Sequence, residues 1–346
     1  MTAIDEDRLN EMVGQFVTDF GAAMHAATVV VGDKLGLYKA LAEHGPIAPA
    51  ALASTLGLDR RLIEEWCNVQ VVSGYATLAA NGDVSLSPEQ AAVLADDTTP
   101  AFMAGAMTLA AAMWKDEGAI RDAFTTGKGL GWHEHDHDLF HGTERLFKPG
   151  YLGNLVASWI PALDGVEARL RDGITVADLG CGHGASTILL AEAYPNSTIV
   201  GFDYHAESID VARKRAAEAG VADRVRFEVA SAQDFDGTYD LVCIFDALHD
   251  MGDPVEGARH IGDALNDNGT WLLVEPACPV EGPLARIFGA ASVGICTPSA
   301  QQQAGGYALG NQVTDETWQS LLTDAGFTHF RRATETPLNR VFEVRK

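Results

Sequence analysis

The sequence predicts an α/β protein of two parts, a helical N-terminal domain followed by a mostly parallel seven-stranded sheet with helices on both faces. From about residue 151 onward, seven short apolar segments alternate with helical segments, which is the pattern of a parallel sheet covered on both sides. Residues 1–95 instead carry apolar side chains at helical spacing. We therefore expect an N-terminal domain over residues 1–95, a helical connector and pocket lid over residues 96–150 and a sheet domain over residues 151–346.

Composition and charge exclude several classes of protein. The chain has 346 residues, of which 47% are hydrophobic, as in ordinary globular proteins. Its formal net charge of −24 opposes binding to nucleic acid and to anionic membranes. The sequence shows neither a long apolar run nor a basic and apolar leader, and its five cysteines form no CxxC pair. We expect a cytoplasmic protein with free thiols that acts on a small molecule.

The N-terminal domain has the element order of a winged helix-turn-helix. Two helices flank Gly57, and a short hairpin turns at Asn81-Gly82. DNA binding would require a basic surface, yet residues 1–100 hold five Lys and Arg against fourteen Asp and Glu. We expect this domain to form a homodimer through its alanine-rich helices. The alternative is a ligand-sensing regulator that reads DNA, which a gel-shift series at low salt would reveal.

The segment VADLGCGHGAST, residues 176–187, joins the first strand of the predicted sheet to a helix. Gly180, Gly182 and Gly184 have no Cβ, so the backbone can turn sharply and approach a ligand. The helix start that follows favours a negatively charged group. Asp203 ends the next strand, where a carboxylate can bind two ribose hydroxyls. The spacing GxGxG argues against a nicotinamide-dependent oxidoreductase, whose site would need GxGxxG.

This segment resembles motif I of class I S-adenosylmethionine-dependent methyltransferases. The resemblance implies a Rossmann-like catalytic domain in which Asp178, Gly180 and Gly182 hold the methionine end of the cofactor and Asp203 holds the ribose. The adenine position carries Ser231 and Ala232, with Asp234 nearby, where the family usually has an acidic residue followed by an apolar one. The remaining cofactor contacts are expected from Tyr204, Phe245 and Tyr151.

The segment FDALHDMGDP, residues 245–254, resembles the LHDW segment of plant-type small-molecule O-methyltransferases. The resemblance implies that His249 is the catalytic base and that Glu275 orients it. A histidine titrates near neutral pH and can take the proton of a hydroxyl acceptor. The second acid of that pattern falls near Gln312, where no carboxylate stands. The whole layout looks most like the winged-helix methyltransferases of mycobacteria and related actinobacteria.

Methyl transfer from S-adenosylmethionine to a small aromatic or apolar acceptor, most simply to oxygen, is therefore the predicted function. Metal-assisted C-methylation is an alternative, because some related α-keto-acid C-methyltransferases hold iron with a histidine–aspartate pair. His249 and Asp250 match those two positions, but the sequence indicates no third ligand downstream.

The segment GWHEHDHDLFHG, residues 131–142, contains four histidines. In a strand His133, His135 and His137 would share one face, whereas in a helix His133, His137 and His141 would; either set could bind a metal. A solvated polar loop and a pocket lining are the other interpretations, and the spacing fits no motif such as HExxH.

We predict pocket lining without a metal. The segment HGTERLFKPGY, residues 141–151, resembles the plant-type segment HGTDPRFNKVFNKGM, which implies aromatic pocket walls. The predicted acceptor contacts are Trp132, His133, Phe147, Tyr151 and Asp250.

Overall fold

The computed structural model describes residues 4–346, so the first three residues of the predicted N-terminal domain lie outside the described residues. The chain forms two compact units, the first from residues 4–114 and 137–149 and the second from residues 115–136 and 150–346. The predicted connector is thus shared between the units, and the domain boundaries at residues 95 and 150 stay a prediction. Along residues 4–346, no helix has both the length and the apolar character needed to cross a membrane.

The first unit is mainly helical. Helix α1 (Glu6–Lys34) begins after Asp5, which accepts hydrogen bonds from two amides of its first turn, and α5 (Pro88–Leu94) begins at a reciprocal capping box of Ser87 and Gln90. Leu37, Leu41 and Trp66 belong to its apolar core. The helices are α1 (Glu6–Lys34), α2 (Leu37–His44), α3 (Pro49–Leu56), α4 (Arg60–Val72), α5 (Pro88–Leu94) and α6 (Ala106–Lys115).

A helix–turn–helix–hairpin order follows α2. Gly57 ends α3 in the left-handed region, with φ of +67°, and Asp59 caps α4. Strands β1 (Thr77–Leu78) and β2 (Val84–Ser85) then pair antiparallel. The elements occur in the predicted order, while the winged-helix assignment itself stays a prediction.

The second unit contains a mixed seven-stranded sheet, as predicted. The spatial order is β5-β4-β3-β6-β7-β9-β8, and the first five strands in this order are parallel, whereas β9 pairs antiparallel with both of its neighbours. The strands are β3 (Thr175–Leu179), β4 (Thr198–Asp203), β5 (Val225–Val229), β6 (Tyr239–Phe245), β7 (Leu265–Pro276), β8 (His329–Glu335) and β9 (Asn339–Arg345).

Helices cover this sheet on both faces, because two separate apolar clusters pack helical side chains against it. One cluster is built around Trp159 and Leu190, the other around Ile261 and Trp318. The remaining helices are α7 (Glu117–Thr126), α8 (Asp138–Asn154), which contains the boundary between the units, α9 (Val166–Asp172), α10 (Ala185–Ala193), α11 (Ala206–Glu218), α12 (Pro254–Ala264), α13 (Gly282–Ala291), α14 (Thr297–Gln302) and α15 (Asp315–Asp324).

The structure corrects several predicted elements. Residues 100–124, whose small and apolar side chains predict one helix, form two helices that are separated at Asp116. The sequence of residues 255–269 predicts a helix that ends at Gly269, but α12 ends at Ala264, since Leu265 already pairs with Tyr239 of β6. Helix α8 falls largely within the predicted helical connector, whereas α9, α13 and α14 were not predicted as helices.

The sheet topology places the candidate site. The strand order reverses direction between β3 and β6, and crevices at such switch points open beyond the carboxyl ends of the strands. Asp178 and Phe245 stand near the carboxyl ends of these two strands, and Asp203 ends the adjacent β4. Residues that are far apart in sequence therefore meet at one edge of the sheet.

Candidate functional site

The loop after β3 takes its shape from glycines. Gly180 and Gly182 have φ values of +72° and +52°, a region that residues with a Cβ rarely adopt. The amide of Gly180 donates to the Phe202 carbonyl at 2.8 Å, and the amide of Gly182 donates to the Asp203 carboxylate at 2.9 Å. The loop is thus held against the end of β4, immediately before α10 begins.

Asp178 is a buried carboxyl group beneath this loop. One of its oxygens accepts hydrogen bonds from the Ser186 hydroxyl at 2.7 Å and the Thr187 hydroxyl at 2.6 Å. The other oxygen, Oδ1, is buried and has no hydrogen-bond partner among residues 4–346. Burial raises the pKa of Asp178 to about 6, although the two hydroxyls act in the opposite direction. An unpaired buried acceptor beside a glycine loop suits a ligand that brings a cationic donor.

Asp203 holds the loop from the next strand. Its Oδ1 accepts from the His205 amide at 2.8 Å, and its Oδ2 accepts from Gly182. Burial raises the pKa of Asp203. Tyr204, the next residue, is half-exposed, and its ring meets that of His133 edge-on at 6.2 Å.

The predicted adenine contacts lie after β5. The Ser231 amide and hydroxyl both donate to the Asp234 carboxylate at 2.7 Å, so Asp234 shapes this turn. Ala232 is buried in the apolar cluster on that side of the sheet. Whether this turn contacts a ligand stays a prediction.

An aromatic group stands at the end of β6. Phe245 is buried, and its ring lies 5.4 Å from the ring of Tyr151. Asp246, to which the sequence analysis gave no role, follows with a φ of +53°. Its carboxyl oxygens lie 2.7 Å from the Asn339 amide nitrogen and 3.5 Å from the Tyr151 hydroxyl. Burial raises the pKa of Asp246 well above its ordinary value. A left-handed non-glycine residue is typical of constrained sites, but no sequence signal marked this one.

His249 and Glu275 form a buried pair. The His249 ring nitrogen Nδ1 lies 2.7 Å from Glu275 Oε2, and Glu275 Oε1 accepts from the Leu248 amide at 3.0 Å. Both side chains are almost fully buried, at 4% and 1% exposure. A carboxylate at Nδ1 fixes the proton on that nitrogen and leaves Nε2 for another partner. The structure thus brings together the two residues predicted as base and orienter.

Asp250 and Cys296 lie on the other side of the His249 ring. Asp250 Oδ1 is 3.2 Å from His249 Nε2, and ligand atoms of His249, Asp250 and Cys296 all lie within 4.8 Å of one another. Burial alone would lower the pKa of His249, but the carboxylates of Asp250 and Glu275 raise it well above its ordinary value. Burial raises the pKa of the Cys296 thiol to about 12.

The plant-type pattern has a second acid near Gln312, and no carboxylate stands at that position. Instead, the Asn311 amide contacts Cys296 Sγ at 3.4 Å, and the acid nearest to Nε2 is Asp250, the residue after the histidine. Cys296 lies in the π-helical turn Ser292–Cys296 and belongs to no recognisable motif. Sequence reasoning therefore missed it.

The histidine run adopts neither of the two regular conformations considered for it. Residues Trp132–Glu134 form a 3-10 turn, His135 is extended, and α8 begins only at Asp138. His133 and His137 are exposed, whereas His135 is buried. Trp132 is partly buried, and Phe147, also partly buried, lies on α8 within the first unit. The predicted contacts of Trp132, His133 and Phe147 with an acceptor stay predictions.

A family model and curated proteins match parts of this chain. A family model described as a methyltransferase domain matches residues 170–326. The chain is 31% identical over 126 residues to the 27-O-demethylrifamycin SV methyltransferase of Amycolatopsis mediterranei, covering 34% of this chain and 46% of that protein. It is 34% identical over 97 residues to an uncharacterised protein of Synechococcus, covering 27% of this chain and 23% of that protein. The chain thus spans less than half of the length of either curated relative.

Solved structures match the chain over almost its whole length. A putative O-methyltransferase from Nostoc punctiforme superposes with a TM-score of 0.71 at 22% identity, covering 96% of this chain and 98% of that one. Human N-acetylserotonin methyltransferase, in complex with S-adenosylmethionine, superposes with a TM-score of 0.69 at 18% identity, covering 100% and 99%. These similarities establish the fold, a Rossmann-like methyltransferase fold preceded by a helical N-terminal region.

Proposed function

We propose that this chain, whose residues 170–326 match a family model of a methyltransferase domain, transfers a methyl group from S-adenosylmethionine to a hydroxyl of a small acceptor. The observation that carries the proposal is the buried His249–Glu275 pair, which stands at the same sheet edge as the glycine loop. Thermal shift with S-adenosylhomocysteine and with NADH tests the cofactor class. We expect stabilisation by the former alone, because a ligand of the native state stabilises it by mass action.

The residues after β3 and β4 fit this cofactor. The unpaired Oδ1 of Asp178 suits the ammonium group of the methionine end, and Gly180 and Gly182 leave room for close approach. Asp203 would take the ribose hydroxyls, while the expected adenine and side contacts are Tyr204, Ser231, Ala232, Phe245 and Tyr151. When bound, the cofactor supplies an electrophilic methyl group on a sulfonium.

His249 would accept the proton of the acceptor hydroxyl through Nε2 in its neutral form. Because Asp250 and Glu275 raise the pKa of His249, that form is favoured toward alkaline pH. Glu275 keeps Nδ1 protonated and the ring oriented, and it stabilises the imidazolium that forms. Burial of the pair excludes water, which would compete as a proton donor and weaken the electrostatic interactions. The acceptor would be small and aromatic or apolar, with Trp132, His133, Phe147, Tyr151 and Asp250 as its proposed contacts.

We predict that S-adenosylhomocysteine binding weakens on acidification. The pKa of Asp178 is about 6 in the ligand-free protein, so the carboxylate that pairs with the ligand ammonium is lost as pH falls through that value. One pH unit below the pKa, competition by the proton weakens binding about tenfold. Isothermal calorimetry from about pH 7.5 to about pH 5 measures the change. Asp178→Asn should bind weakly with little pH dependence; an equally steep profile in that variant would contradict the assignment.

A second candidate function rests on the cluster of His249, Asp250 and Cys296. An imidazole, a carboxylate and a thiol within 4.8 Å can bind a divalent transition metal, and Glu275 at His249 Nδ1 resembles the outer carboxylate of many metal sites. This supports the alternative of metal-assisted C-methylation. Calorimetric titration with Fe²⁺ and Zn²⁺ tests it without an activity assay. If the cluster is a metal site, we expect the wild type to bind the metal ion more tightly than Cys296→Ala does. Equal affinities of the two proteins would exclude the metal hypothesis.

We further propose a homodimer formed through α1. Six large apolar side chains at helical spacing along its first five turns are about half to two-thirds exposed, which is unfavourable in water unless another surface covers them. These side chains, the α1 stripe, are Leu9, Met12, Phe16, Val17, Phe20 and Met24. The same stripe on a second copy is a self-complementary partner, as two-fold symmetry requires.

We predict that Phe16→Glu together with Phe20→Glu converts the dimer into a monomer, because four charges would be buried at the two-fold interface. Size-exclusion chromatography with light scattering measures the mass. Val72→Glu is the matched control, since Val72 is a highly exposed apolar residue elsewhere in the same unit. A wild-type monomer, or a dimer that survives both substitutions, would contradict the interface.

Free thiols and the net charge bear on the location and the partners of the protein. The five cysteines are all free thiols within the described chain, which suits a reducing cytoplasm. The charge of −24 supports a small-molecule acceptor and the exclusion of nucleic acid as a partner.

A further inference from the structure

His135 differs from the other histidines of its segment because it is buried. Only 6% of the residue is exposed. Its Nδ1 lies 2.8 Å from Asp116 Oδ2, and Asp116 is itself held by the amide of Asp136 at 3.1 Å. Since a carboxylate accepts a hydrogen bond, Nδ1 carries a proton, and in this tautomer Nε2 is an acceptor. The tautomer is therefore set by Asp116.

The Nε2 atom of His135 is buried without a hydrogen-bond partner among residues 4–346. Buried ring nitrogens are usually paired, because an unpaired one loses its bond to water and gains nothing. A buried and oriented acceptor that has no protein partner points to a ligand. His249 shares only part of this arrangement: Glu275 holds its Nδ1, but its Nε2 lies 3.2 Å from Asp250 Oδ1.

Helix α14 and the residue after it form hydrogen bonds to segments near both histidines. The Leu130 amide donates to the Pro298 carbonyl at 3.0 Å, which fixes the segment that leads to His135. The side chain of Gln303, which follows α14, donates to the Asp250 carbonyl at 2.8 Å. The His135 ring also lies near enough to Asp250 to lower the pKa of its carboxyl group, against the larger raising effect of burial. Both histidines therefore lie near Asp250 within the second unit.

We propose that His135, oriented by Asp116, is a specificity-determining residue that accepts a hydrogen bond from the acceptor molecule through Nε2. The inference rests on the proposed function and adds a property of the acceptor. Beside the hydroxyl that His249 deprotonates, the acceptor carries a second hydroxyl that donates to His135. A site built around a buried acceptor discriminates strongly against a molecule without the matching donor, because the acceptor then stays unpaired.

Two substitutions separate this role from a structural one. In His135→Asn the amide nitrogen takes the place of Nδ1 and can still donate to Asp116, but no atom replaces Nε2. In His135→Gln the longer side chain can place its carbonyl oxygen near the position of Nε2. His137→Asn, an exposed histidine of the same run, is the matched control. Thermal unfolding of all variants reports whether the fold is preserved.

Methyl transfer from labelled S-adenosylmethionine is measured with catechol and with phenol as probes. We expect the wild type to prefer catechol, and His135→Asn to lose about tenfold to hundredfold in kcat/KM for catechol while phenol changes little. His135→Gln should recover part of the loss, and His137→Asn should equal the wild type. A structural role would instead lower the rates for both probes together.

Three results overturn the inference: equal preference for the two probes in the wild type, unchanged catechol turnover in His135→Asn, or no transfer to catechol by protein that binds S-adenosylhomocysteine. The last result leaves the cofactor assignment standing. Absence of S-adenosylhomocysteine binding would instead contradict the proposed function itself, so the two failures are distinguishable.

Discussion

Replacing His249 with asparagine is expected to lower kcat for methyl transfer by about 10²–10⁴-fold, the usual contribution of a general base. The asparagine amide can occupy the place of Nδ1 and keep a donor for Glu275, so that the buried carboxylate retains a partner. What is lost is Nε2, the proposed proton acceptor. Single-turnover transfer from labelled S-adenosylmethionine measures the chemical step directly.

Binding of S-adenosylhomocysteine to His249→Asn should remain within about twofold of the wild type, because the histidine lies outside the proposed cofactor contacts. His329→Asn is the matched control, since His329 is an exposed histidine of the same unit. If His249→Asn turned over at the wild-type rate while it still bound the ligand, His249 would not be the base.

Replacing Asp203 with alanine is expected to weaken S-adenosylhomocysteine binding by about 10²–10³-fold. The carboxylate would lose its hydrogen bonds to the ribose, and charged hydrogen bonds contribute about 1.5–3 kcal/mol each. The same carboxylate accepts from the amides of Gly182 and His205, so its removal also releases the glycine loop. Isothermal calorimetry at neutral pH gives the dissociation constants.

Asp210→Ala provides the comparison for this experiment. Asp210 lies on α11, with a side chain that is 77% exposed, and pairs only with Arg213 among the described ion pairs. Removing an exposed pair of this kind changes little. Unchanged affinity in Asp203→Ala would remove Asp203 from the cofactor site, and weakened binding in Asp210→Ala would show that net charge accounts for the effect.

Most of the sheet could be predicted from the sequence. Each strand is a short apolar run between turn signals, so β3, β4 and β6 were recognisable from local pattern alone. The errors have local causes. Strand β7 begins at Leu265, directly after the last residue of α12. No glycine or proline before Gly269 marks the end of the helix, so the helix end was placed too late. The run of small and apolar residues over 100–124 likewise contains no proline beyond its first residue, so α6 and α7 were predicted as one helix.

The candidate site was predictable only where a motif spans adjacent residues. The glycine loop and the segment around His249 were recognised because their residues are neighbours in sequence. His135 was grouped with His133 and His137, and a one-dimensional pattern could not show which ring is buried. Cys296 was missed because it carries no motif of its own.

The sequence by itself determined the fold class, the glycine turn, the strand-end acid and the acidic charge, because these depend on residue type and short-range spacing. The tertiary structure decided which side chains share a buried environment. Asp116 meets His135, and Cys296 meets His249, only because tertiary packing brings distant segments together. Desolvation and pairing in that environment, and not residue type, set the tautomer of each ring and the pKa of each acid.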